Sequence, residues 1–423
     1  MPGVQNFPTP IDAHSITELK DLITKYKKYN VKVGYADHIS GDDRFASIFP
    51  LMAYSAGAYI IEKHFTDNRK LKRTDYQSAL NKDEIKSFIV NFKKLNLTMK
   101  PIKNFNKFEK KYRNMFKKSP ALKRSANIDM KIRKNDIFFI KDTKNPSSIS
   151  SHSLVNKKLL SKLDHSKPIK LTNINQTVGA IIVARISSSR LKNKAIRKIN
   201  NIESISQVIA RVKKIKGINK IILATSTDKS DDILEKIALR KKIKCFRGSL
   251  NNVASRFYMA AKKYKLDQIV RVTGDAILCD EVMLDKAIIN QLQKCTDVTF
   301  IKNMPYGTAR EVFTFNTIAT ITQNAEVSKN TEYLEWFLEN SRNFKVGYIK
   351  SNYRFNKTTR LTLDFKEDLI LFNNIFKHFK NDVDNFTLKD VLAYLKKNPK
   401  LIKINNYHKP KFSRKDLNIN LKI

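Results

Sequence analysis

Over its first hundred residues the chain switches repeatedly between two hydrophobic periods. "SITELKDLITKYKKY" (15–29) places apolar residues at helical spacing, and Ser15 followed by Glu18 marks a capped helix start. "RFASIFPLMAYSAGA" (44–58) and "NKDEIKSFIVNFKKL" (81–95) predict two more helices, the last with Asn81 as its cap. Between them, "VKVGYAD" (31–37) and "AYIIEKHF" (58–65) are short apolar runs of strand type. Strands alternating with helices predict an α/β unit with short parallel strands.

The rhythm then breaks. Residues 98–120 are basic, polar and bounded by prolines, which predicts a helix or linker. Residues 121–176 hold two short strand-like pieces, "DIFFIKD" and "KPIKLTNI", separated by the serine-rich "NPSSISSHS".

A longer α/β pattern starts at Val178. The strand-like runs are "VGAIIVARI", "KIILATS", "IKCFRG" and "QIVRVTGD"; the helix-like runs are "IESISQVIARVKKI", "DDILEKIALRKK" and "VASRFYMAAKKY". Near-continuous apolar strands between amphipathic helices predict a doubly wound, Rossmann-like sheet covered on both faces. Ligands bind such sheets at the carboxyl ends of the strands, and that is where the polar clusters of this chain fall.

Composition adds size and charge. A chain of 423 residues with 41% hydrophobic content has room for two or three cored domains. Its formal charge is +43, from 82 Lys and Arg against 39 Asp and Glu. A charge that high raises nucleic acid or an anionic surface as a partner. The lysines are spread along the whole chain rather than gathered in one stripe, which argues against a nucleic-acid groove and leaves anionic substrates as a use for part of the charge. Cys245, Cys279 and Cys295 have neither metal-ligand spacing nor a disulfide framework, as expected of a reducing, cytoplasmic setting. No apolar run reaches transmembrane length, and "MPGVQNFPTP" lacks the features of a secretory signal.

Candidate chemistry concentrates at three strand ends. The loop "ARISSSRLKNK" carries Arg185, Ser187, Ser188, Ser189, Arg190, Lys192 and Lys194, and the pattern sets it between a strand and a helix. Its amides, hydroxyls and cations suit a triphosphate, although it has no glycine and is not a Walker A loop. Asp275 ends the strand "VRVTGD", where a carboxylate would hold Mg²⁺ against nucleotide oxygens. Asp364, in "RLTLDFKEDL", is expected at the end of another short strand as a second metal ligand, with Asp368 as a helix-start charge.

In order, "IIVARISSSRLKNK", "ATSTDKSDD", "CFRGSLNNVASRFYMAA", "VRVTGDA", "YGTAREVF" and "RLTLDFKEDL" resemble the cytidylyltransferase-like spore-coat polysaccharide biosynthesis proteins, relatives of the acylneuraminate and keto-deoxy-octulosonate cytidylyltransferases. The resemblance implies a nucleotide-diphospho-sugar transferase fold for residues 177–423 and attack of a sugar hydroxyl on the α-phosphate of CTP. It implies that Arg185, Ser188, Arg190 and Lys194 bind triphosphate, with Lys194, Arg190 and Asp275 as the catalytic set. It also implies that Asp275 and Asp364 hold Mg²⁺, that Asn251 and Arg256 lie near nucleotide or sugar, and that Glu311 faces the sugar. Two departures stand out: the family's Leu-Pro-Gly-Lys reads "LKNK" here, and Ile277 replaces a proline.

At the other end, "GVQNFPTP", "VGYADH", "GAYIIEKHFT", "RTDYQSAL" and "ALKRSANIDMKIRKNDI" resemble the sialic acid synthase family, which condenses phosphoenolpyruvate with an amino sugar in a TIM barrel followed by a small antifreeze-like (SAF) domain. The resemblance implies that residues 1–97 are the last strands of a partial barrel, residues 98–120 a linker and residues 121–176 an SAF-like, β-rich module opening at Arg124 and Ser125. It implies that His38 and His64 match a Mn²⁺-binding pair and Asp75 an active-site carboxylate. Ala36 stands where the family has Ser, Tyr76 where it has His, and Lys144 falls where the SAF arginine would be. A complete (β/α)₈ barrel takes roughly 200–250 residues. The histidine pair is therefore read as a vestigial half-site, or as one completed by a second chain that supplies the early strands.

The expected protein is an α/β fusion in which a nucleotidyltransferase follows a synthase remnant. It would take CTP and a sialic-type sugar acid, either as a homo-oligomer or beside a complementing chain. The competing expectations are synthase activity completed in trans and a non-catalytic basic binding protein.

Overall fold

The computed structural model describes residues 6–99, 105–142, 149–188, 190–324, 334–339, 342–380 and 386–408. The chain divides into two compact units, Met1–Ile102 and Lys103–Ile423. Lys144 and Ser189 lie outside the described residues. Among the described residues, no helix is long and apolar enough to cross a membrane.

In the first unit, α1 (Ile16–Lys27) begins where Ser15 accepts a hydrogen bond from the Glu18 amide. It leads to β1 (Tyr35–Ala36), α2 (Phe45–Ala56), β2 (Ile61–Glu62) and α3 (Lys82–Thr98). Asn81 and Glu84 form a reciprocal capping box at the head of α3. The two strands are parallel, with Tyr35 opposite Ile61 and Ala36 opposite Glu62. They are much shorter than their apolar runs. The Tyr59 amide to the Val33 carbonyl and the Tyr35 amide to the Ile60 carbonyl extend the ladder without lengthening either regular strand. A third parallel contact follows at Phe65 and Leu80. Leu19, Tyr35, Ile39, Phe49, Ala53, Leu80 and Phe88 make the core.

The second unit opens with α4 (Lys107–Phe116) and the antiparallel pair β3 (Lys118–Leu122) and β4 (Ile137–Lys141), so the basic stretch 98–120 contains a helix and the start of a strand. "DIFFIKD" is β4. "KPIKLTNI" is not a strand: it makes two isolated bridges, Pro168 to Ala121 and Ile174 to Leu159, and a 3₁₀ turn at Leu171–Asn173. Proline cannot donate to a ladder, which limits pairing there. A short α5 (Ser151–Leu154) follows. Leu122, Ile132, Leu154, Leu159, Leu163, Ile169 and Ile174 share a core with Cys295, which caps the C-terminal end of the helix Glu281–Lys294 of the large domain.

That domain runs β5 (Val178–Val183), β6 (Lys198–Ile199), β7 (Ile202–Glu203), α6 (Ser204–Lys213), β8 (Lys220–Ser226), α7 (Asp232–Arg240), β9 (Lys244–Gly248), α8 (Val253–Lys263), β10 (Gln268–Thr273), α9 (Glu281–Lys294), β11 (Val298–Lys302), β12 (Val312–Thr314), α10 (Phe315–Asn324), α11 (Leu334–Leu338), β13 (Val346–Lys350), α12 (Lys366–His378), α13 (Leu388–Lys397) and α14 (Pro399–Ile402). Seven strands form one sheet in the order β13-β11-β12-β10-β5-β8-β9. All of its pairings are parallel except those of β12, which runs antiparallel to both neighbours.

Alternate residues of β5 enter different cores: Ala180 and Ile182 pack on one face, Ile181 on the other. Burial on both faces is why the strands read as unbroken apolar runs. From β5 the chain proceeds outward through β8 and β9, then crosses back to β10 on the other side. The β5/β10 boundary is therefore the switch point at which such sheets open a ligand crevice.

Two glycines hold that crevice together. A Cβ at Gly274 would lie 2.8 Å from the Ala184 Cβ, so the ends of β5 and β10 approach closely only with glycine there. Gly307 has φ +95°, and a Cβ on it would sit 2.5 Å from the Leu361 carbonyl oxygen. Gly307→Ala is expected to lower unfolding stability by about 2 kcal/mol or more, read in denaturant melts. An unchanged midpoint would show that this contact relaxes freely.

Candidate active site at the sheet switch point

The loop after β5 differs from the sequence expectation. It does not enter a helix directly. It passes through a 3₁₀ turn at Lys194–Ile196 and the β6–β7 hairpin before reaching α6. Lys194 is thereby turned back toward the strand ends. Its Nζ donates to Asp275 Oδ2 at 2.7 Å and to Asp364 Oδ1 at 2.9 Å. Arg190 donates to the same Asp364 oxygen at 2.7 Å, and Arg360 to the other at 2.7 Å.

Asp364 is not at a strand end. It lies just before α12, on a segment tied down by the Leu361 amide to the Tyr306 carbonyl and the Leu363 amide to the Asp275 carbonyl. Asp368 accepts from the Asp364 and Phe365 amides, as a helix-start carboxylate does, and also pairs with Arg360.

The charges reinforce one another. Burial alone would raise the Asp275 pKa, but Lys194 and Arg310 outweigh it and hold the carboxyl well below the usual range. Burial alone would lower Lys194, and the two carboxylates instead push it above the ordinary lysine value. Asp275 Oδ1 is buried and takes no hydrogen bond of good geometry. The leftover Asp275 oxygen fits an ion such as Mg²⁺, which binds through one or two carboxylates plus substrate phosphates, whereas both Asp364 oxygens already accept from Arg190, Lys194 and Arg360. Among the described residues, no group of three or more acidic, His or Cys side chains is arranged to hold a metal by itself.

The structure thus brings together Lys194, Arg190, Asp275 and Asp364. Arg185 is exposed and Ser188 half-buried on the same loop. Asn251 is exposed in the turn before α8, whose cap is the neighbouring Asn252, and Arg256 is buried against Gly248 at the end of β9. Glu311 is 3% exposed and accepts from Arg271 at 2.7 Å. Its pKa is raised, by burial first, in spite of Arg271.

Several functional residues escaped the sequence reading although they stand inside its motifs. Asp231, in "ATSTDKSDD", is buried and accepts from the Ile186 amide at 2.7 Å, the Ser226 amide at 3.0 Å and the Thr225 and Ser226 hydroxyls, which ties the β5 loop to the end of β8. Arg310, next to Glu311, and Arg360, four residues before Asp364, are the others.

In the first unit, His38, His64 and Asp75 also converge. The imidazole centroids are 5.2 Å apart, and Asp75 Oδ2 lies 3.8 Å from His64 Nδ1. The Phe7 ring packs on both histidines, with centroids 4.2 Å from His38 and 5.8 Å from His64.

A doubly wound sheet with cations and paired carboxylates at its switch point suits a phosphorylated ligand, and the family match makes the class a nucleotidyltransferase. The chain belongs to the cytidylyltransferase family, whose model matches residues 179–400. Over 226 residues it is 28% identical to the spore coat polysaccharide biosynthesis protein SpsF of Bacillus subtilis, covering 52% of this chain and 94% of that one. A solved cytidylyltransferase from Leptospira borgpetersenii superposes with a TM-score of 0.51 at 26% identity, covering 56% of this chain and all of that one. Residues 1–103 match the NeuB family. There the chain is 34% identical over 83 residues to a pseudaminic acid synthase of Campylobacter jejuni, covering 20% of this chain and only 22% of the synthase's length.

Proposed function

We propose that the second unit transfers a cytidylyl group from CTP to the hydroxyl of a sialic-type sugar acid, releasing pyrophosphate, in the assembly of a surface polysaccharide. The observation that carries this reading is Lys194 spanning Asp275 and Asp364 at the β5/β10 switch point. The match of residues 1–103 to the NeuB family, with a pseudaminic acid synthase among the similar proteins, supports a sugar acid as acceptor. Spore coat polysaccharide synthesis, named for the SpsF relative, supports the polysaccharide setting.

Each residue then has a task. Arg185, Ser188, Arg190 and Lys194 line the loop that would cradle the triphosphate, and their cations offset its charge. Asp275 and Asp364 would hold Mg²⁺, which when bound neutralises phosphate charge. Lys194 is fixed between the two carboxylates at the strand ends, where its charge would meet the phosphates. Asn251 and Arg256 stand on the β8/β9 side, where the nucleotide would extend. The sugar oxygen forms a bond to the α-phosphorus as the bond to pyrophosphate breaks.

The test is pyrophosphate release by the purified protein with CTP, Mg²⁺ and sialic-, legionaminic- or pseudaminic-type acids. Release that depends on the sugar acid is expected. Absence of release with every acid and every nucleoside triphosphate would sink the reading.

The convergence of His38, His64 and Asp75 favours a second reading for the first unit: phosphoenolpyruvate-dependent synthase activity completed by a chain that supplies the other barrel strands. In that reading the Phe7 ring, packed on both imidazoles, would have to move for the pair to take Mn²⁺.

A further inference from the structure

Beside Asp275, on the flank away from the basic loop, lies a further cation, Arg310, whose charge bears on Asp275 and on Glu335. Arg271 is bonded to Glu311 Oε1 at 2.7 Å and to Glu335 Oε2 at 2.8 Å, which leaves Glu335 Oε1 on the side of Arg310. Arg310 comes no nearer to Glu335 than 3.8 Å, beyond hydrogen-bond reach. Among the described residues its buried Nε has no acceptor, while its side chain remains 22% exposed. Glu335, Asp275 and Glu311 offset its charge, and the exposed part of the guanidinium keeps N–H donors that an incoming anion can take up in charge-assisted hydrogen bonds.

Topology says which anion. β10 lies between β5 and β12. The basic loop follows β5, Asp275 follows β10, and Arg310 precedes the antiparallel β12, so all three stand at one end of the sheet. Continuing the register beyond Val270 and Val312 sets Arg310 level with Val272, just short of Asp275. Arg190 and Lys194 therefore flank Asp275 on one side and Arg310 on the other. In-line displacement places the nucleophile opposite the leaving group. With pyrophosphate held by the basic loop, the acceptor approaches from the side of Arg310. The segment that carries it is fixed by Gly307 against Leu361.

We infer that Arg310 binds the carboxylate of the sugar-acid acceptor through its planar guanidinium and so selects acidic sugars over neutral ones. The inference rests on the nucleotidyl-transfer reading above. It reassigns the sugar-facing role within "GTAREVF" from Glu311, which is committed to Arg271, to the residue before it. A guanidinium fork matches a carboxylate with two parallel hydrogen bonds, which a lysine cannot reproduce.

The experiment compares wild type with Arg310→Gln and Arg310→Lys in steady-state pyrophosphate release and in equilibrium binding of CTP and of the sugar acid. In both variants KM for the sugar acid is expected to rise roughly 10- to 100-fold, as for the loss of charged hydrogen bonds, with KM for CTP changed less than about threefold. A sugar whose carboxylate is converted to the amide should lose the same factor with wild type and almost nothing further with Arg310→Gln. Unchanged CTP binding and thermal midpoint exclude simple misfolding.

A rise confined to KM for CTP would make Arg310 a phosphate ligand and overturn the inference, as would an unchanged KM for the sugar acid. If wild type releases no pyrophosphate yet binds the sugar acid in an Arg310-dependent way, the transfer reading fails and the Arg310 site stands. If wild type neither turns over nor binds any sugar acid, both fall.

Discussion

Asp275→Ala is expected to lower sugar-dependent pyrophosphate release by about a thousandfold, the scale set by losing several kcal/mol of charge organisation around the phosphates. Asp275 holds Lys194 at 2.7 Å and keeps a second, buried oxygen unused, so the substitution removes both the anchor of the lysine and the candidate Mg²⁺ ligand. Lys194 retains Asp364 at 2.9 Å, and the Leu363 amide still bonds to the backbone carbonyl of residue 275, so the segment should stay in place. Asp275→Asn keeps the shape and tests the charge alone; it should be nearly as impaired. The carboxyl is held well below its ordinary value, so its stabilising pairing is complete above the unfolded-state pKa of about 4 and is lost only as pH falls through the lower folded value. Any acid limb in the rate between about pH 5 and pH 7 must then come from another group. Measured rates within tenfold of wild type, with CTP binding intact, would move the catalytic centre away from the switch point.

What the chain revealed in advance follows from what local pattern can encode. The runs at β5, β8 and β10 were legible because both faces of the sheet are covered, which demands continuous apolar residues. The charged loop after β5 and Asp275 after β10 were legible because strand ends of doubly wound sheets are where polar residues serve ligands. The β6–β7 hairpin was missed although it carries its own signal: Asn200 and Asn201 have φ of 45° and 72°, the pair of left-handed residues that a tight hairpin turn requires. Asp364 was expected at a strand end because "RLTL" alternates as a strand does, yet the chain there makes only a bridge from Arg360 to Tyr306 and the bond from Leu363 to Asp275. The choice between Arg310 and Glu311 could not be read locally. Alternation says that neighbours point to opposite faces, but Arg271, which claims Glu311, lies 40 residues away in the chain. In the first unit the histidine pair was legible from its two strand ends. The Phe7 ring over both imidazoles was not, because it depends on how the chain before α1 folds back.

The second large effect concerns a carboxylate that touches no expected ligand. Asp231→Ala is expected to destabilise the second unit by about 4 kcal/mol and to weaken CTP binding beyond what stability alone explains. Asp231 is 1% exposed and accepts four hydrogen bonds, from the Ile186 amide on one oxygen and from the Thr225 hydroxyl, the Ser226 amide and the Ser226 hydroxyl on the other. It also stands at the N-terminus of α7, where the helix dipole favours negative charge. Alanine leaves two amides and two hydroxyls without their acceptor in a closed interior, at about 1 kcal/mol or more each. Because Ile186 is in the basic loop after β5 and Ser226 ends β8, the same loss unties Arg185, Ser188 and Arg190 from the sheet that positions them. Asp231→Asn separates the two effects. It keeps one acceptor oxygen but puts an amide group where a carboxylate oxygen met two hydroxyls and an amide, so it should lie between wild type and alanine in denaturant midpoint. If the loop is held by this carboxylate, CTP affinity should fall in the same order, measured at a denaturant-free temperature where all three proteins are folded. A protein that loses stability but binds CTP as wild type does would show that the loop takes its shape from Lys194, Asp275 and Asp364 instead, and Asp231 would then be a structural residue only.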